Sequence, residues 1–504
     1  VIEPASIEAR PRRAGDLYEG VARGRRFVHD PRGRDALVVL SKLGARVLDA
    51  ADGRSVGALA LALGAPLDAV AREVSVLGRA GMLSGRDVPP PPRPAPAPPT
   101  LDVWLHVTST CNLDCVYCYV ERGPGVLDDA TAARVIDALV ASARSKGVRR
   151  VHVRYAGGEP MLRFDVIQRF HARAKAALAS IDVALGGAVL TNGTVIPDGA
   201  LEWLVAERFG VSVSLDGVDE AHDRSRPTRG GAGSFAAAAA GLERYRAAGL
   251  QPYVLTTLSD RNLDALPTLA RWLVEAKVGF RWSLSRDLES GDSLLAPRSA
   301  GWRRDGLVPL RRAAHRPEGQ GSPMLEGEAL ARAIAVIGAA YDVIEARVPL
   351  TPSFFHTHRF CDLDLRRPIR RACGAGERSV AIGETGAISA CQASLHRESS
   401  LLGDADELFA RLGAAGSLAR PAPEGPCAEC RHRHSCAGGC PLLLARRDGH
   451  ARGQSPYCAL FKYVIPRILR IAAAERIARL EALPAKRAVE AKVPASHAGG
   501  ALAS

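Results

Sequence analysis

From Leu101 onward, short apolar stretches alternate with longer amphipathic ones. The short stretches predict strands at Val103–Val107, Val151–Tyr155, Ala188–Thr191, Val211–Leu215, Tyr253–Leu258 and Phe280–Leu284. Between them lie helical patterns near Ala130–Ser145, Phe164–Ala179, Gly199–Ala206, Ser234–Ala248 and Leu263–Ala276. Such alternation forces parallel pairing through right-handed crossovers, so the expected fold class is α/β with a partial, six-unit (β/α) TIM-like barrel. Working residues in such barrels sit at the C-terminal ends of strands.

Two flanking regions follow other patterns. Arg25–His29 and Ala36–Leu40 read as strands, and Ser41–Ala51, Ser55–Leu63 and Pro66–Ala80 as helices, with turns at Asp52-Gly53 and Gly81. Leu67, Val70, Val74, Val76 and Leu77 give the third helix an apolar face. The run PPPPRPAPAPP at Pro89–Pro99 favours polyproline II, a linker that would hold the front unit apart as a tethered module. Past about Leu325 one helix, Glu328–Glu345, gives way to a Gly- and Cys-rich stretch, as expected where metal ligation replaces a core. The tail after Lys486 is Ala-rich and basic and reads as disordered. The expected divisions are 16–86, 87–100, 101–325, 326–462 and 463–504.

Strands followed by three helices form a winged-helix-like pattern. It resembles the peptide chaperone of pyrroloquinoline quinone biosynthesis, which implies recognition of a precursor's leader peptide as an added edge strand. A DNA-binding winged helix or a plain packing domain are the other readings of this segment.

Composition changes the picture in three places. No run of eighteen apolar residues occurs and Val1–Arg12 lacks a signal-peptide layout, so no membrane association and a cytoplasmic location are expected. The net charge of +13 would attract an acidic partner, but its arginines are scattered through helices without the aromatic interleaving of a nucleic-acid groove, which argues against nucleic acid. Eleven cysteines without an export signal point to metal ligation rather than disulfides.

The first predicted barrel strand ends in TSTCNLDCVYCYV, with Cys111, Cys115 and Cys118 spaced C-x-x-x-C-x-x-C. Three thiolates hold three irons of a cubane and leave the fourth open, whereas zinc wants four ligands and no fourth Cys or His is close by in sequence. The spacing, with aromatic Tyr117 before the third cysteine, resembles the radical S-adenosylmethionine superfamily. The resemblance implies a [4Fe-4S] cluster that binds S-adenosylmethionine (AdoMet). It also implies that Gly157-Gly158-Glu159-Pro160 holds the AdoMet amino group, that Ser214 and Arg226 contact its methionine portion, and that Leu258 lies against the adenine. An arginine fork suits a carboxylate well.

A second set, Cys373, Cys391, Cys427, Cys430, Cys436, Cys440 and Cys458, resembles the SPASM extension of radical peptide and protein maturases. The resemblance implies an outer auxiliary cluster on Cys427, Cys430, Cys436 and Cys458, and an inner one on Cys373, Cys391 and Cys440. Cys361 would complete the inner set. Three [4Fe-4S] clusters then use three, four and four cysteines, the eleven present. His432 and His434 read as exposed basic positions.

The family branch follows from one departure. Sulfatase-activating enzymes place an Asp after the second SPASM cysteine, where this chain has Gln392, a poor base. The resemblance therefore implies an oxidoreductase that matures a ribosomally made precursor peptide, joining a thioether or carbon–carbon crosslink after hydrogen abstraction by a 5′-deoxyadenosyl radical. An external electron donor of flavodoxin or ferredoxin type is implied as partner. Sulfatase-maturase-like protein oxidation and nucleic-acid modification are the alternatives.

Overall fold

The structure is a computed structural model of the 504-residue chain and describes residues 3–89, 100–285, 325, 327–395, 400–401, 408, 425–448 and 453–482. The linker beyond Pro89 and the tail after Lys486 lie outside the described residues.

The front unit carries more sheet than its sequence predicts. Strands β2 (Tyr18–Ala22), β3 (Arg25–His29) and β4 (Leu37–Val39) form an antiparallel sheet in that order, and β1 (Arg10–Arg13) pairs with β5 (Leu83–Arg86). Helices α1 (Lys42–Ala50), α2 (Val56–Leu63) and α3 (Leu67–Arg79) lie between β4 and β5. Ser41 and Ser55 cap α1 and α2 by accepting from the N–H of Gly44 and Ala58. The buried face of α3 is Val70, Ala71, Val74, Ser75, Leu77 and Gly78; Leu67 is exposed and Val76 only half-buried, a correction to the face expected of them.

The central sheet realises the barrel. Strands β6 (Thr100–Thr108), β7 (Arg150–Gly157), β8 (Ala184–Thr191), β9 (Gly210–Ser214), β10 (Tyr253–Leu258) and β11 (Gly279–Leu284) run parallel in sequence order. Helices α4 (Asp129–Lys146), α5 (Phe164–Ala179), α6 (Ala200–Ala206), α7 (Glu220–Ser225), α8 (Phe235–Ala247) and α9 (Leu266–Glu275) connect them. The alternation on β6 sends Leu101, Val103, Leu105 and Val107 into the core. After α10 (Gly327–Glu345) and the one-turn α11 (Phe354–Thr357), the cysteine-rich region adds strands to both sides of this sheet. β12 (His358–Phe360) pairs parallel with β11, and β13 (Ser379–Ile382) parallel with β6, followed by antiparallel β14 (Ala387–Ser389) and β15 (Ser400–Leu401). Trp282 of β11 is fully buried against Tyr341 of α10 and His358.

The cysteine block carries α12 (Arg433–Cys436) and α13 (Pro441–Asp448), and the last helix, α14 (Cys458–Glu481), runs from a cysteine to the underside of the front unit. It packs on β2, β4 and α10, and Arg476 donates to the Leu37 carbonyl. His29 Nε2 meets the Leu365 carbonyl at 2.7 Å, Asp16 pairs with Arg433, and Ala22, Phe27 and Leu37 join the barrel's hydrophobic core. The front unit is therefore docked rather than held apart, because one face of its small sheet is apolar and must be covered. Among the described residues no helix is long and apolar enough to cross a membrane.

Candidate active site and cluster sites

The loop leaving β6 carries Cys111, Cys115 and Cys118, and three neighbours shape it. The Gly157-Gly158-Glu159 turn docks first: Gly158 N–H donates to Thr108 O and Glu159 N–H to Thr110 O, both at 2.8 Å. A Cβ on Gly157, at φ +121°, would stand 2.3 Å from Thr108 O, and one on Gly158 2.1 Å from Thr110 O, so only glycines allow this approach. Second, Asn112 is clamped at the end of β8, accepting from Asn192 Nδ2 at 2.8 Å and donating to Thr194 Oγ1 at 2.8 Å. Third, the end of α7 and the residues after it zip along the loop through Val116 N–H to Ser225 O at 3.1 Å and Asp114 N–H to Pro227 O at 2.7 Å.

Glu159 turns inward. One oxygen accepts from Thr191 Oγ1 at 2.7 Å and Met161 N–H at 3.0 Å, the other from Asn192 N–H at 2.7 Å. Burial pushes its carboxyl up to about 7, against hydrogen bonds that favour the anion. Its side chain thus fixes the turn to the end of β8.

Arg226 is buried beside the cysteine loop, its guanidinium 5.3 Å from the centroid of the Tyr117 ring and its Nη1 3.6 Å from Cys115 Sγ. Its Nε donates to Asp216 Oδ2 at 2.7 Å, and Tyr117 donates its hydroxyl to the same oxygen. Burial opposes the guanidinium's charge, but its neighbours, Asp216 foremost among them, together hold it firmly charged; burial also pushes the Tyr117 phenol well above its ordinary range. Ser214 is the last residue of β9 and half-buried, and Leu258 ends β10 fully buried, its carbonyl accepting from Ser285 N–H at 2.8 Å.

Sequence reasoning missed Asp216 and the Asn112–Asn192 clamp. The signal for Asp216 was available: an arginine expected inside the barrel mouth needs a nearby carboxylate, and SLDG supplies one directly after a strand end.

The remaining cysteines gather in two places. Cys427, Cys430, Cys436 and Cys458 line one hollow together with His432 and Gln454, whose Nε2 donates to Cys458 Sγ at 2.8 Å. Cys373 lies near Cys391, Cys440 and Asp362, and Cys361 shares a second hollow with Cys440, Cys436 and Leu284. Cys361 directly follows β12, buried, at φ +49°, its N–H donating to Trp282 O at 2.7 Å. His432 is buried, not exposed: it packs against Tyr18 of the front unit, and burial lowers its pKa to about 4. His434 is half-buried.

The donor set fits iron–sulfur ligation. Burial pushes the thiols of Cys115, Cys373 and Cys436 each up to about 12, so they would be protonated and inert when free, whereas a bound metal deprotonates a coordinating thiol outright. Among the described residues no three His, Cys, Asp or Glu side chains converge on the position of a single metal ion.

Residues 105–273 match the Radical SAM superfamily. The GTP 3′,8-cyclase of Heliobacterium modesticaldum is 28% identical over 332 residues, covering 61% of this chain and 96% of the relative. The mycofactocin maturase MftC of Mycobacterium ulcerans is 29% identical over 352 residues, covering 66% of this chain and 81% of the relative. In fold, anSMEcpe with bound AdoMet and the Kp18Cys peptide aligns with a TM-score of 0.56 at 17% identity, over 74% of this chain and 99% of that one. The strand-end cysteine loop and the glycine turn docked on it both lie within residues 105–273, the part of the chain that matches as a Radical SAM superfamily domain.

Proposed function

We propose that this protein is a radical AdoMet maturase that installs an oxidative intramolecular crosslink, thioether or carbon–carbon, in a ribosomally made precursor peptide. The observation that carries the reading is that Cys427, Cys430, Cys436 and Cys458 line a single hollow while Cys373 lies near Cys391 and Cys440, in addition to the trio on the loop leaving β6. The similarity to a relative named as a maturase supports the same direction.

Cys111, Cys115 and Cys118 would hold the AdoMet-binding cluster, Cys427, Cys430, Cys436 and Cys458 the outer auxiliary cluster, and Cys361, Cys373, Cys391 and Cys440 the inner one. With AdoMet and an external electron donor of flavodoxin or ferredoxin type, the first of these supplies a 5′-deoxyadenosyl radical able to take hydrogen from an unactivated C–H bond. The chain's task is then orientation. Glu159 would hold the glycine turn for the amino end of AdoMet, Arg226 and Ser214 would contact its methionine portion, the guanidinium meeting the carboxylate, and Leu258 would lie against the adenine. The front unit, docked beside the outer cysteine set, would hold the leader and deliver the remainder of the peptide to the barrel mouth.

Co-expression with a short leader-bearing peptide from a neighbouring reading frame tests this. The expected product is lighter by two hydrogens. An unchanged peptide mass, with 5′-deoxyadenosine still formed, would sink the crosslinking claim.

A further inference from the structure

We infer that Asp216 is a positioning residue for cofactor binding, which aims Arg226 and Tyr117 so that the site selects AdoMet by its carboxylate. The inference rests on the radical-enzyme reading above and adds a residue that the cysteine, glycine and strand-end patterns do not contain.

Asp216 is buried at 1% exposure, one residue past Leu215 and two past Ser214 at the barrel mouth. Its two oxygens have divided tasks. Oδ1 accepts from Thr257 N–H at 2.8 Å, which ties it to β10 next to Leu258. Oδ2 takes both Arg226 Nε at 2.7 Å and the Tyr117 hydroxyl. Its main chain is held as well, the carbonyl by Asn262 Nδ2 at 2.9 Å and the N–H by His222 Nδ1 at 3.3 Å. A carboxylate fixed from so many directions acts as a rigid post.

The consequence for Arg226 is directional. With Nε consumed by Asp216 and Nη1 turned toward Cys115 Sγ, the planar guanidinium has one orientation, and Nη2 has no hydrogen-bond partner among the described residues. The free edge therefore lies beside the cysteine loop, where a carboxylate chelated to an open iron would arrive. Tyr117, pinned by its hydroxyl under the same guanidinium, closes the other side. A post that served folding alone would have no reason to leave the far edge of its arginine unspent.

The test compares AdoMet with its decarboxylated analogue, which keeps the amine, sulfonium and adenosine and lacks only the carboxylate. Binding is read by equilibrium dialysis and by the spectral change of the reduced cluster, with iron content measured alongside. Asp216→Asn should raise the Kd for AdoMet about tenfold and leave that for the analogue within about twofold, at unchanged iron content. Equal weakening of both ligands, or of neither, overturns the inference. Should Asp216→Asn fail to accumulate, Arg226→Lys serves: its single ammonium cannot satisfy Asp216 and reach the cofactor at once, so it too should lose discrimination. Retention of wild-type preference in that variant overturns the inference. Failure of the wild-type protein to bind AdoMet at all would remove the radical-enzyme reading and the inference with it.

Discussion

The ring of Tyr18, on the first strand of the front sheet, lies 5.6 Å from the ring of His432, in the middle of the outer cysteine block. Asp16 pairs with Arg433 beside it, and His29 bonds to the carbonyl of Leu365, between Cys361 and Cys373. The front unit and the cysteine region thus share one interface, in which His29 and His432 are buried while the Asp16–Arg433 pair stays partly exposed. Its stability will follow the protonation of the histidines.

For His29, burial lowers the pKa from 6.5 to about 4. The released histidine binds a proton below about pH 6.5 and the docked one does not. Docking stability is therefore complete above pH 6.5 and declines as pH falls toward 4, by at most about 3 kcal/mol for this residue. His29→Gln, which can still donate to Leu365 O, should flatten the pH dependence of thermal unfolding across that window. An identical slope in wild type and variant would refute the assignment.

Cys361 borders the same hollow as Cys440. Cys361→Ala should lower anaerobically reconstituted iron from about twelve atoms per chain to about eight, with the other two clusters intact. Full iron content and an unchanged inner-cluster spectrum would exclude Cys361 as a ligand.

Gly158 has no room for a side chain against Thr110 O. Gly158→Ala should displace the turn from the cysteine loop and cut AdoMet cleavage at least about tenfold, at a stability cost of about 1–3 kcal/mol. Wild-type cleavage kinetics would show that the turn tolerates displacement.

Glu159 accepts backbone N–H groups on both of its oxygens. Glu159→Gln must point its amide nitrogen at one of these donors, which leaves a buried N–H unpaired and costs about 1–3 kcal/mol in chemical denaturation. A variant as stable as wild type would mean that the turn is held chiefly by Thr108 and Thr110.

Much of the barrel was legible because its strands are short apolar runs punctuated by amphipathic helices: Tyr253–Leu258 and Phe164–Ala179 match their elements residue for residue. What was hidden had a physical cause. The first half of β8 contains Gly186-Gly187, poor strand formers, yet a Cβ on Gly187 would lie 2.3 Å from the Phe209 ring, so tertiary packing demands what propensity disfavours. Strand β1, Arg-Pro-Arg-Arg, pairs with β5 on one side and makes only an isolated bridge, Arg12 to Asp52, on the other, and such an edge position is where a strand tolerates proline. The cysteine trio was readable from spacing; SLDG offered Asp216 as a carboxylate for a buried arginine, but its role as a post depends on four segments that meet only in the fold.

The strands that the cysteine-rich region lays against β6 and β11 make the barrel and that region inseparable. Cut away everything past residue 325, and both outermost barrel strands would present rows of bare amide and carbonyl groups, ready to recruit other chains. A truncated barrel should precipitate rather than turn over slowly, so transplanting this chemistry to another scaffold means moving the whole sheet.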